Sequence, residues 1–376
     1  MKKLFIITGE FSADVHAAGV VKILKTKMPD LQIEAVGGTN LAMCGVKLFA
    51  NHKKMEAAGF NAKILKEHLD LGKNLLNYLK KEYKPDVVLL LDYGGFNLNM
   101  AKFIKLEMPK TKILYFIPPQ IWASRKWRIK AVKKYIAKVL YIFPFEEELY
   151  KGNNIPSEFV GHPLVAELPR MFAKEIFFLE QGLEPAKKLI SVFPGSRDFE
   201  ILMLMPTLMK SVELLHKKFP EVQFALCQSP SIKDTLLRNY KIPSYVKIIK
   251  GNNYDLLAMS DALILASGTV ALEAALYKTP MVVCYRAPWL LYTIYLMVRC
   301  IKQVSLPNII LRKEVVPELI QAKCKPKIIA EHVSKIIGDT PERSQMIYEL
   351  SKLSEKLSEK NALERVADNV TEFLKN

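Results

Sequence analysis

Short apolar runs without charge, each followed by a turn and an amphipathic stretch, limit this chain to few architectures. VVLLL (87–91) and ALILA (262–266) hold no polar residue and do not alternate. A strand with one wet face reads apolar–polar, whereas an unbroken run marks a strand covered on both faces, as in a parallel sheet wrapped by helices. The first half offers KLFIIT, IEAVGG, VVLLLD, KILYFI, VLYIF and EFVG, separated mostly by helical patterns such as HAAGVVKILKTKM. After GHPLVAELPR the pattern restarts with LISVFPGSR, VQFALCQ, VKIIKG, ALILAS and MVVCYR. The chain of 376 residues exceeds one ordinary core. The expected fold is α/β: two Rossmann-like domains, 1–165 and 166–340, facing across a cleft, with the join near Pro163 and Pro169. A charged helical tail over 341–376, with apolar Leu350, Leu353, Leu357, Val366 and Phe373, is expected to pack back on the first domain or on a neighbouring copy.

The formal charge of +17, from 55 Lys and Arg against 38 Asp and Glu, favours an anionic partner: nucleic acid, an acidic bilayer or a phosphorylated substrate. A nucleic-acid module would cluster its cations and aromatics on one face, and here Lys is spread throughout, so no nucleic-acid partner is expected. Five scattered cysteines without C-x-x-C fit a reducing cytosol and argue against a disulfide framework or zinc site. The start, MKKLFIITGE, has too short an apolar run for a signal peptide and reads as a buried first strand. The uncharged stretch between Arg286 and Arg299 is twelve residues long, against the ~20 that a spanning helix needs. At most, the chain associates with a membrane surface.

In doubly wound sheets ligands bind beyond the strand C-termini, so the residues just after each run carry the chemistry. ALILASGTVALEAAL reads as strand, turn and helix, which leaves backbone N–H groups of Ser267, Gly268 and Thr269 unpaired and suited to an anion. Glu273, one helical turn on, can accept from the vicinal hydroxyls of a ribose. A nucleoside diphosphate would satisfy both; an ordinary N-cap before a surface glutamate is the plainer reading. FPGSRDFEI repeats the logic with Gly195, Ser196 and Arg197, the arginine able to hold a departing diphosphate or merely to pair with Asp198 or Glu200. VVLLLDYGGFN ends a buried strand in Asp92, placed either as a general base or as a local cap. TGEFSADVHAAG brings Glu10, Ser12 and Asp14 to a similar turn, where any of them can simply cap the helix. IPPQIWASRKWR offers Gln120, Trp122, Arg125 and Trp127 as a sugar platform, with core packing the alternative, above all for Trp127. His162 of FVGHPL and His16 are candidate hydroxyl or diphosphate contacts, or structural. The eleven aspartates include no D-x-D pair, so no metal site is expected.

Taken in order, GEFSADVHAAG, VGGTNLAMCGV, LLDYGGFN, IPPQIWASRKWR, FPFEEELY, FVGHPL, FPGSRDFEI, ASGTVALEAAL, PMVVCYR, SLPNII and PELIQ resemble the lipid-A-disaccharide synthase family along nearly the whole chain. The resemblance implies an inverting, metal-independent glycosyltransferase of the GT-B fold. It would join UDP-2,3-diacylglucosamine to 2,3-diacylglucosamine 1-phosphate (lipid X), with UDP-sugar as substrate and no cofactor. It implies that residues 1–165 take the acceptor and 166–340 the UDP-sugar, with Asp92 and Arg197 catalytic. Ser12, Gly195, Ser196, Ser267, Gly268, Thr269, Glu273 and Asn308 would bind UDP, and Glu10, Gln120, Trp122, Arg125 and His162 would lie on the acceptor side.

Two positions depart from the family pattern: Ala13 stands where Gly is usual, and Gly94-Gly95 replace Pro-Asp, which predicts a looser loop under Asp92. Acylated substrates imply a cytoplasmic protein resting on an anionic inner-membrane surface, with Phe60, Ile64, Leu65 and Leu69 as contacts and APWLLYTIYLMVRCIK (287–302) as another apolar stretch; buried helix faces are the alternative for most of these side chains. The tail leaves a swapped homodimer open. A UDP-sugar epimerase, or another GT-B transferase acting on a lipid-linked acceptor, are the rival enzymes. The transferase that glycosylates the undecaprenyl-linked peptidoglycan precursor would need an extended Gly-rich first loop, which TGEFSADVHAAG is not.

Overall fold

The computed structural model describes residues 1–51, 62–169, 173–357 and 361–376. The chain forms two compact units, Met1–Ala166 with Leu357–Asn376, and Glu167–Lys356. The stretch from 341 is therefore shared: Pro341–Lys356 belongs to the second unit and only the remainder to the first.

The first unit holds a parallel sheet of β1 (Lys3–Ile7), β2 (Gln32–Gly37), β3 (Lys47–Asn51), β4 (Val87–Leu91), β5 (Lys112–Phe116), β6 (Lys138–Tyr141) and β7 (Ser157–Phe159), ordered β3-β2-β1-β4-β5-β6-β7. The second holds β8 (Leu189–Phe193), β9 (Gln223–Gln228), β10 (Val246–Lys250), β11 (Ala262–Ala266), β12 (Met281–Tyr285) and β13 (Glu318–Ile320), ordered β10-β9-β8-β11-β12-β13. In each sheet the order reverses between the first strand and the fourth, where Ile7 pairs with Leu90 and Phe193 with Leu265. The carboxyl ends of such a strand pair diverge into helices on opposite faces, leaving a crevice between the two turns.

The helices used below are α1 (Phe11–Lys27), α2 (Ala62–Tyr78), α3 (Gly94–Glu107), α4 (Glu146–Lys151), α5 (Asp198–Lys218), α6 (Val270–Leu276), α7 (Trp289–Val298), α8 (Leu306–Leu311), α9 (Pro341–Leu357) and α10 (Ala362–Lys375). Every residue of β4 and β11 is buried, as uncharged runs require. Each such Val or Leu contributes ~1.5–3 kcal/mol by leaving water, an upper bound because the unfolded chain already buries some of it. Both sheets gain an edge strand that the apolar runs do not announce, β3 and β13; each is partly exposed and therefore mixes polar with apolar residues. Helix α10 closes the first unit by packing on α1, with Val366, Val370 and Leu374 fully buried at a spacing of four.

Candidate active site

At the switch point of the first sheet, β4 hands over to α3 through Asp92 and Tyr93, both left-handed at φ 47° and 46°. Two consecutive non-glycine residues there cost ~1–3 kcal/mol each unless neighbours hold them. They are held. The Asn97 amide donates to the carbonyls of Leu91 (3.0 Å) and Asp92 (2.9 Å), and the Tyr115 hydroxyl donates to the Asp92 carbonyl at 2.6 Å. Gly94 does not loosen this loop. A Cβ there would sit 2.5 Å from Pro119 Cβ, so the glycine lets the first turn of α3 close on Pro119. The ring of Tyr93 reaches over the turn after β1, where a Cβ on Gly9 would lie 2.2 Å from Tyr93 Cγ. The strain aims one group: the half-buried Asp92 carboxyl, pushed up to about 6, first by burial and then by the charge of Glu10, with the Tyr93 N–H and His16 pulling the other way.

Across the switch point, Glu10 is the exposed N-cap of α1, and Ser12 is exposed in its first turn. Ala13 sits helical and buried in that same turn, so the position asks for no special backbone. Asp14 is structural: its carboxylate accepts from the N–H of Gly38 (2.6 Å) and Asn40 (2.9 Å), tying α1 to the turn after β2.

Several residues expected on the acceptor side are placed otherwise. His162 is buried against Phe143 with ring centroids 5.3 Å apart, and its Nδ1 accepts from the Leu164 N–H at 3.2 Å. Burial drives its imidazole down to about 3, so it is a neutral core histidine. The tryptophans exchange their expected roles. Trp122 packs edge-on against Phe143 and Phe145, whereas Trp127 is 62% exposed. Gln120 and Arg125, by contrast, face solvent and stay open to an acceptor. Of the expected membrane contacts, Phe60 lies outside the described residues, Ile64 and Leu65 fall in the first turn of α2, and Leu69 is exposed.

The second sheet has two switch-point turns, and they differ. After β8, Gly195 adopts φ 121°, and the Glu200 carboxylate folds back to accept the N–H groups of Ser196 (2.9 Å) and Arg197 (3.3 Å). A Cβ at Gly195 would meet Glu200 Oε2 at 2.4 Å. The backbone donors expected for a phosphate there already hold a carboxylate. The Arg197 guanidinium stays exposed, with a long contact of 3.4 Å to Glu200.

After β11 the Ser267 N–H donates to the Cys284 carbonyl at 3.0 Å, so it is not the open donor that the sequence suggests. Gly268 and Thr269 are exposed, a Cβ on Gly268 would meet nothing within 4 Å, and among the described residues their N–H groups have no acceptor. Glu273 is half-buried, and burial raises its carboxyl to about 7. The Asn308 side chain is held by its own neighbours. Its amide donates to the Val316 carbonyl and Glu318 and accepts the N–H groups of Val315 and Val316, which uses all four of its bonds. It fixes the α8 loop. Asn97, by contrast, is a positioning residue that sequence reasoning quoted but did not single out; an amide five residues beyond a strand-end aspartate was the available signal. No cluster of metal-ligating side chains occurs among the described residues.

Two Rossmann-like units with a carboxylate at one switch point and an open turn beside a carboxylate at the other have the fold of GT-B glycosyltransferases and UDP-sugar epimerases. UDP-GlcNAc 2-epimerase from Neisseria meningitidis, solved with UDP-GlcNAc, superposes with a TM-score of 0.68 at 13% identity, covering 99% of this chain and 100% of that one. MurG from Acinetobacter baumannii gives 0.60 at 14% identity over 99% and 100%. Sequence is more specific: the family model for lipid-A-disaccharide synthetase matches residues 4–370. Lipid-A-disaccharide synthases of Coxiella burnetii (35% identical, 97% of each chain) and Syntrophus aciditrophicus (34%, 97% of this chain and 96% of the relative) align almost end to end. The chain belongs to the lipid-A-disaccharide synthetase family, and it is a glycosyltransferase of lipid A biosynthesis.

Proposed function

We propose that the chain condenses UDP-2,3-diacylglucosamine with lipid X by direct displacement, giving the β-1,6 disaccharide 1-phosphate and UDP. The Asp92 carboxylate takes the proton of the acceptor's 6-hydroxyl. That oxygen forms a bond to the donor's anomeric carbon as the bond to the diphosphate oxygen breaks, and UDP leaves with the electron pair. The configuration inverts. Arg197 and the N–H groups of Gly268 and Thr269 hold the charge of the leaving diphosphate. Glu273, poised near neutrality, hydrogen-bonds the ribose. Ser12 serves the diphosphate, and Glu10 and Arg125 the acceptor. No metal or cofactor takes part, so EDTA leaves turnover unchanged.

The observation that carries this reading is Asp92, set in a strained, fully braced backbone and raised towards neutrality. A base whose pKa lies near the working pH is both ionised and able to hold a proton. The test is UDP release by the purified protein with the diacyl donor and lipid X. Turnover should require both, and Asp92→Ala should abolish it while UDP still binds. UDP release or sugar interconversion without lipid X would overturn the reading in favour of an epimerase.

A further inference from the structure

A half-buried guanidinium needs an acceptor, because water no longer fully solvates its charge. Among the described residues the half-buried arginines are Arg128, Arg286, Arg343 and Arg365. Arg286 donates to the Cys324 carbonyl at 2.7 Å, Arg343 to the Ile336 carbonyl at 2.8 Å, and Arg365 pairs with Glu158. Arg128 is the exception: no side-chain hydrogen bond or ion pair joins it to a described residue.

Its place makes the exception informative. A single turn of 3-10 helix, Lys126–Arg128, follows the left-handed Arg125 (φ 57°), and the Arg128 N–H donates to the Arg125 carbonyl at 3.0 Å. The turn brings the two guanidinium groups near enough for the charge of Arg125, after burial, to hold Arg128 below the usual arginine pKa, with Tyr115 pulling the other way and no carboxylate acting on it. Two like charges side by side cost free energy until an anion bridges them. Arg128 Nη1 lies 3.4 Å from where a Cβ on Gly94 would be, against the first turn of α3 and two residues past Asp92. The next residue, Gly95, fronts open space: a Cβ there would meet nothing within 4 Å.

The acceptor supplies such an anion. Lipid X carries its 1-phosphate and its 6-hydroxymethyl group on the two carbons that flank the ring oxygen, so a base at Asp92 calls for a counter-charge to phosphate close to the same turn. We propose that Arg128 and Arg125 grip the 1-phosphate of the acceptor and select a phosphorylated acceptor over its free-hydroxyl counterpart. The planar forks of two guanidiniums match the oxygens of a phosphate monoester, which a single lysine ammonium does not. Resting on the glycosyl-transfer reading, this site adds to it the groups that choose the acceptor.

The test compares lipid X with dephosphorylated 2,3-diacylglucosamine as acceptors in detergent micelles at saturating donor. The parent should prefer lipid X by about thirtyfold or more in kcat/KM, since a site built for a charged group rejects the analogue that lacks it. Arg128→Gln should cut that preference by about tenfold or more, through the KM for lipid X, and Arg125→Gln by about threefold or more. Arg128→Lys should recover part of the loss. A purely structural role would lower both acceptors alike and leave the preference standing, which would overturn the proposal. So would a parent that does not discriminate, or a loss confined to the donor KM, which would assign the pair to the leaving diphosphate. Should Arg128→Gln melt early, the exposed Arg125→Gln decides by the same ratio. If neither acceptor is turned over, the glycosyl-transfer reading falls by itself, and calorimetry of lipid X without donor decides the site. There a Kd raised about tenfold in Arg128→Gln supports it, and a Kd within about twofold overturns it.

Discussion

The turn after β4 and the turn after β11 occupy equivalent switch points in two sheets that share the order of six strands, the first sheet adding β7, yet they are built in opposite ways. The first is closed: its carbonyls are taken by Asn97 and Tyr115, its glycine is pressed on Pro119, and a single carboxyl remains to act. The second is open: Gly268 has empty space beside it, and the carboxyl stands one helical turn further on. Closure fixes where one proton acceptor points. Openness leaves room for a ligand to supply the missing hydrogen bonds. One fold thus separates reacting from gripping through the local filling of a turn.

That contrast is broken most directly at Asp92. Asp92→Asn is expected to lower kcat by ~10²–10⁴, the range for a lost general base, with the Kd for UDP within about twofold in calorimetry. An equal loss in both would dissolve the division of labour.

The next effect concerns stability. Glu146 at the start of α4 is fully buried and pushed up to about 8 by burial, although the Phe143 N–H donates to it at 3.1 Å. A carboxyl raised on folding stabilises below its unfolded pKa, and that contribution is lost as pH rises through the folded value. The first unit carries Asp92 and Glu146, with windows ending near about 6 and about 8, and the second carries Glu273, near about 7. Urea unfolding should show stability falling from pH 6.5, above which the neutral His162 no longer opposes the trend, to about pH 8. Glu146→Gln should recover on the order of 3 kcal/mol at the upper end.

A smaller effect is expected from Glu273→Gln: a donor KM raised about tenfold, in line with ~1.5 kcal/mol for a charge-assisted hydrogen bond, and kcat within threefold. The parent's donor KM should vary with pH around 7, and the variant's should be flat. Smallest of all, Glu200→Gln should cost ~1 kcal/mol of stability as a helix cap weakens and alter UDP affinity less than threefold. A large gain in UDP affinity would mean that the turn after β8 is a phosphate site which Glu200 merely guards.

The sheets were legible because buried parallel strands are uniformly apolar, and their partly exposed edges, β3 and β13, were not. FPGSRDFE and LASGTVALE look alike as strand, turn and helix with an acidic residue in the first turn. Only the reach of Glu200 back to the Ser196 and Arg197 N–H groups tells them apart. Local sequence also does not decide which tryptophan of IWASRKW is covered, since Phe143 and Phe145 arrive from a distant turn. Local sequence likewise does not show that the Asn308 amide is engaged by four bonds within its own unit.

Helix α10 returns to the first unit from far along the chain; Lys27 on α1 and Asp368, 341 positions apart, meet at 2.5 Å. A ribosome therefore finishes the whole second unit while the flank of α1 that receives Leu363 at Gly19 is still bare. The earliest-made half is completed after the half that follows it, and a message cut short after residue 356 would yield a finished second unit tethered to an unsealed first one.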